Sequence, residues 1–116
     1  MPETVLSVGA GAGLSASVAR RFARDGAAVA LASRNPGKLA ALAGEIDARS
    51  YACDVTDRAT VEAMVAAVTA DLGAPDVVMF NPSARARGPF TELDLEAVKQ
   101  ALLVTCYGGY LVCGAV

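Results

Sequence analysis

Three glycines, Gly9, Gly11 and Gly13, separate an apolar run at 4–8 from a segment in which Leu14, Val18 and Phe22 recur every fourth residue. Backbone without side chains at such a junction can turn tightly and let phosphate oxygens approach the N–H groups and positive end of the following helix. The chemistry on offer is the grip of a dinucleotide's phosphates. Spacing narrows the type of turn. A GxGxxG match from Gly9 would need glycine where Leu14 stands, whereas the pattern TGxxxGxG finds Gly9 and Gly13 in place, with Val8 and Ser15 at its other two fixed positions.

Other chemistries are excluded or weakly represented. The chain has no histidine, which removes imidazole bases, Ser-His and Cys-His pairs and the usual mixed zinc sites. Cys53, Cys106 and Cys113 are odd in number and form no CxxC pair, so they are read as buried packing residues in a reducing, cytoplasmic setting, with no metal site. A net charge of -2 with scattered basic residues argues against nucleic acid as a partner. The start at Met1-Pro2-Glu3 shows no basic region of a secretory signal.

The elements that must position the glycine turn follow from periodicity. With 54% apolar and 19% charged residues, the 116-residue chain suits one globular domain. The run 4–8 reads as a strand buried on both faces, followed by a helix that Gly26 stops. Ala28 to Ala32 is a second strand, and Asn35-Pro36 opens a helix with Leu39, Leu42, Ala43 and Ile46 on one face. Ser50 to Cys53 is a third strand. Thr56 or Asp57 then caps a helix whose stripe is Val61, Met64, Val65, Val68 and Leu72, closed by Gly73. Val77 to Phe80 is a fourth strand. The alternation predicts an α/β, Rossmann-like doubly wound parallel sheet in the order 3-2-1-4. After a loop at 81–91, Leu95, Val98 and Leu102 begin a last helix. From Ala101 to Val116 there is no charged residue, a segment too short to span a bilayer readily and read as buried or subunit-facing in a homo-oligomer.

At this point the chain resembles the short-chain dehydrogenase/reductase family over essentially its whole length. The resemblance rests on the turn Val8-Gly9-Ala10-Gly11-Ala12-Gly13-Leu14-Ser15, on Ser33-Arg34-Asn35 after the second strand, on Cys53-Asp54-Val55 after the third and on Asn81 after the fourth. It implies an NADP(H)-dependent oxidoreductase acting on a small-molecule alcohol or carbonyl. Gly9, Gly11, Gly13 and Leu14 would then lie at the phosphates. Ser33 and Arg34 would favour the 2′-phosphate of NADP, where an acid would favour NAD; an ordinary surface arginine is the alternative. Asp54 and Val55 would meet the adenine edge, or Asp54 simply caps its turn. Asn81, held extended before Pro82, would present its side chain at the strand's carboxyl end. Arg85 and Arg87 in the following loop could attract an anionic substrate or simply face solvent.

The departures from the family pattern are as informative. Ser15 replaces the third glycine and is read as a tolerated small residue. Thr105 stands where the family's helix carries an asparagine. The family's tyrosine is followed four residues later by lysine, whereas Tyr51, Tyr107 and Tyr110 are followed there by Val55, Leu111 and Gly114. No catalytic residue is therefore assigned, and 1–116 is expected to be an incomplete, truncated dinucleotide-binding domain. The competing readings are a non-catalytic nucleotide-binding module and an interaction protein that uses 101–116 for subunit or membrane contact.

Overall fold

The computed structural model describes residues 2–116. Strands β1 (Thr4–Val8), β2 (Ala28–Ser33), β3 (Arg49–Ala52) and β4 (Val77–Phe80) form one sheet in the order β3-β2-β1-β4. All three pairings are parallel, with Val8 opposite both Ala32 and Phe80. This is the predicted doubly wound arrangement. Its two central strands carry runs of small and aliphatic residues because both of their faces are covered.

Alternation along the strands sends side chains to two separate cores. Leu6, Val8, Ala30 and Ala32 pack with Val61, Met64, Val65 and Val68 of α3 (Arg58–Leu72). Val5, Val29 and Leu31 face the other way, toward Ala16 and Ala19 of α1 (Leu14–Arg24) and Leu39 and Leu42 at α2 (Ala40–Ile46). Each fully buried Val, Leu or Met side chain contributes about 1.5–3 kcal/mol. The helix α2 is entered through a 3-10 turn, Pro36–Leu39, with proline at its start. Asp57, not Thr56, caps α3 by accepting from the Ala59 N–H.

Several details differ from expectation. The third strand begins at Arg49 and ends at Ala52, one residue earlier than periodicity suggested. Helix α1 turns Ser15, Ala16 and Ala19 to the sheet while Leu14 is 66% exposed; small residues let the helix lie close to β1, and Leu14 falls outside that contact. The last helix is one rod in three parts, α4 (Leu95–Leu102), a π-helical segment Leu103–Tyr107 and α5 (Gly108–Ala115). It buries Gly108 and Val112 and exposes Leu95, Leu102, Tyr107 and Tyr110. Cys106 and Cys113 lie on its exposed surface, so only Cys53 is the buried packing thiol that was expected of all three. No helix among the described residues is long and apolar enough to cross a membrane.

Candidate dinucleotide site

The turn after β1 is stitched to its neighbours before it reaches the helix. The N–H groups of Gly9 and Ala10 both donate to the Ala32 carbonyl, at 2.9 and 3.1 Å. Gly9 has φ +79°, and a Cβ there would stand 2.4 Å from the Pro82 nitrogen. Glycine is therefore demanded at this position by handedness and by contact with the segment after β4. With the first two N–H groups committed, the donors left for an anion are those of Gly11, Ala12 and Gly13 and of the first turn of α1. Gly13 is its N-cap, no side chain caps it, and no acidic residue lies in its first turn. By contrast Asp57 caps α3 and Asp94 caps α4. An uncapped helix start with its N–H groups unclaimed is complementary to phosphate.

Two cavities flank this turn. The larger, about 560 Å³, opens at the carboxyl ends of the strands and brings together Gly9, Ser33, Arg34, Asp54, Val55 and Asn81. Gly11 instead lines a second cavity of about 420 Å³ between α1 and α2. Gly13 and Leu14 line neither. The expected residues thus gather from the ends of four strands, but the turn divides them between two spaces.

The charges of the larger cavity suit an anionic ligand. Arg34 and Lys38 are exposed on its wall and have no ion-pair partner among the described residues, where the ion pairs belong to Arg20, Arg21, Arg49 and Arg58. Beside Arg34, the Ser33 hydroxyl is buried without a hydrogen-bond partner, an orphaned polar atom of the kind a ligand can satisfy. Asp54 accepts through Oδ1 from the Thr56 hydroxyl at 2.7 Å and the Thr56 N–H at 3.0 Å. Those hydrogen bonds hold its carboxyl below the usual range, and the nearby Arg34 acts in the same direction. The capping role of Asp54 is therefore real, and it leaves Oδ2 outside these bonds.

Three other side chains of interest are chemically quiet. Burial pushes the Cys53 thiol up, so it is not a ready nucleophile. The Tyr51 phenol is pushed up to about 12, first by burial and then by donating a hydrogen bond to Asp71 at 2.9 Å. Thr105 donates back to the Ala101 carbonyl at 2.6 Å within its own helix, an intrahelical bond that occupies its hydroxyl proton.

Sequence reasoning missed Lys38, Gln100 and Val104, all on the wall of the larger cavity. Lys38 is brought there by the tight turn that starts at Pro36, a signal present in Asn35-Pro36-Gly37. It also missed the contact of Asn81 with Ser15, where the amide Nδ2 donates to Oγ at 3.2 Å.

Residues 9–116 match the family model described as enoyl-(acyl carrier protein) reductase. The chain is 32% identical over 119 residues to D-threitol dehydrogenase of Mycolicibacterium smegmatis, which covers 98% of this chain and 46% of that protein. Among solved structures, a variant of actinorhodin polyketide ketoreductase with NADPH superposes with a TM-score of 0.93 at 28% identity, covering 98% of this chain and 46% of that one. NAD+-bound xylitol dehydrogenase does so with a TM-score of 0.92 at 28% identity and the same coverage. The chain spans about half the length of these relatives. Parallel sheet order, glycine turn, family-model match and these likenesses agree: the chain belongs to the short-chain dehydrogenase/reductase family.

Proposed function

We propose that the chain is the NADP(H)-binding part of an oxidoreductase that exchanges hydride with an alcohol or carbonyl substrate. The observation that carries this reading is the cluster, on one cavity wall, of the orphaned Ser33 hydroxyl with Arg34 and Lys38, cations that have no ion-pair partner among the described residues. A ribose 2′-phosphate beside β2 would accept from all three, whereas the two hydroxyls of an NAD ribose would leave the cations without a partner. When bound, the dinucleotide supplies the hydride.

The other residues take supporting parts in the same reading. The N–H groups at Gly13 and Leu14 would meet the pyrophosphate, with Gly9 setting the turn against Pro82 and Gly11 keeping the approach free of a side chain. Asp54 Oδ2 and the Val55 N–H would meet the adenine edge, and Asn81 would shape the floor beneath the nicotinamide ribose. Conversion of substrate further requires a tyrosine–lysine pair that none of Tyr51, Tyr107 and Tyr110 makes with a lysine four residues on. Fluorescence titration with NADPH and NADH tests the binding claim, and tighter binding of NADPH is expected.

A dinucleotide-binding module without turnover is the second reading. The intrahelical bond of Thr105, at the place of the family's asparagine, favours it. NADPH binding with no oxidation across a panel of ketones and aldehydes would select it.

The exposed stripe Leu95, Leu102, Tyr110 on the last helix supports a homo-oligomer. The cytoplasmic placement rests on the cysteine usage.

A further inference from the structure

We infer that Asn81 and Ser15 form a latch that positions the phosphate-facing start of α1, with Ser15 acting through α1 and not on the ligand itself. Ser15 occupies the place at which the TGxxxGxG pattern has its last glycine, and it is only 2% exposed. A side chain there must be housed between α1 and the sheet. The structure houses it by pairing: the Asn81 amide Nδ2 donates to Ser15 Oγ at 3.2 Å, across 66 residues of sequence.

Asn81 is a stationary donor. Its own N–H is held by the Val8 carbonyl at 2.9 Å, and Pro82 follows it, which confines its backbone to extended conformations. The same dipeptide meets the other end of the turn, because Gly9 lies against the backbone of Asn81 and Pro82. The segment from Gly9 to Ser15 is thus anchored at both ends to the end of β4, and the uncapped first turn of α1 begins between those anchors. The direction of its N–H groups is set by the two anchors and not by any cap of its own. Removing the hydroxyl would release one anchor and free the exposed Asn81 amide to turn to solvent. Removing the amide would release the same anchor from the other side.

This inference rests on the reading that the turn binds a dinucleotide through its phosphates. The test uses the 116-residue chain, NADPH as a probe that contains the pyrophosphate, and adenosine 2′-monophosphate as a probe that lacks it. Ser15→Ala and Asn81→Ala are each expected to weaken NADPH about five- to tenfold. The double variant should be no weaker than Asn81→Ala alone, because both changes remove the same interaction. Adenosine 2′-monophosphate should bind all variants as it binds the parent. Equal loss of both probes, additive losses, or unchanged NADPH binding in Ser15→Ala would overturn the latch while leaving the cofactor reading in place. A parent chain that binds neither NADPH nor NADH would instead overturn the cofactor reading beneath it.

Discussion

Gly9 and Pro82 are in closest approach where β1 hands over to the glycine turn, leaving no room for a Cβ between them. The position is doubly constrained, since φ at Gly9 is +79° as well. Gly9→Val should therefore destabilise the fold by about 2–4 kcal/mol. Urea denaturation of parent and variant checks this.

Gly13 makes the opposite prediction. A Cβ there meets nothing within 4 Å, so Gly13→Val should cost only the roughly 1 kcal/mol of placing valine at a helix N-cap, while obstructing the approach of phosphate to the start of α1. Dinucleotide affinity is expected to fall at least about tenfold, equivalent to about 1.4 kcal/mol. Unchanged affinity would remove Gly13 from the phosphate site.

Gly108 is where α5 crosses Val55. A Cβ on it would stand 2.8 Å from Val55 Cγ2, and both residues are buried. Gly108→Val should cost about 1–3 kcal/mol through overpacking. Gly114, which has open space, provides the control: Gly114→Ala should leave the urea midpoint at or slightly above that of the parent.

Tyr51 gives a pH signature at the alkaline end. Its folded-state pKa is raised to about 12, by burial first and the bond to Asp71 second, against about 10 for the unfolded chain. The stability it contributes is fully present below pH 10 and is lost as pH rises through about 12. Tyr51→Phe should flatten the stability profile in that window. The depressed pKa of Asp54 works at the other end: its contribution is present above the unfolded value and is lost as pH falls through the folded one. Asp54→Asn should blunt the acid limb.

The sheet order was legible because each strand and helix carries its own period, and parallel crossovers leave few topologies. The site was legible in the parts that lie at strand ends, which is why Ser33, Arg34, Asp54 and Asn81 meet in one cavity. What escaped depends on which face an apolar residue turns. Leu14, Cys106 and Cys113 are apolar by type yet exposed, and composition does not distinguish a core-facing helix side from an open one. The approach of Asn81 to Ser15 escaped for another reason, since 66 residues separate two side chains that only the completed sheet brings together.

In the proposed reading, Ser33, Arg34 and Lys38 make a 2′-phosphate site. The ratio of NADPH to NADH affinity, measured in the parent chain and in Arg34→Asp, decides it. Tighter binding of NADPH by the parent is expected, with a fall in the ratio of about 10- to 100-fold in the variant, since a charge-assisted contact is replaced by repulsion. A ratio that does not move on Arg34→Asp would contradict it.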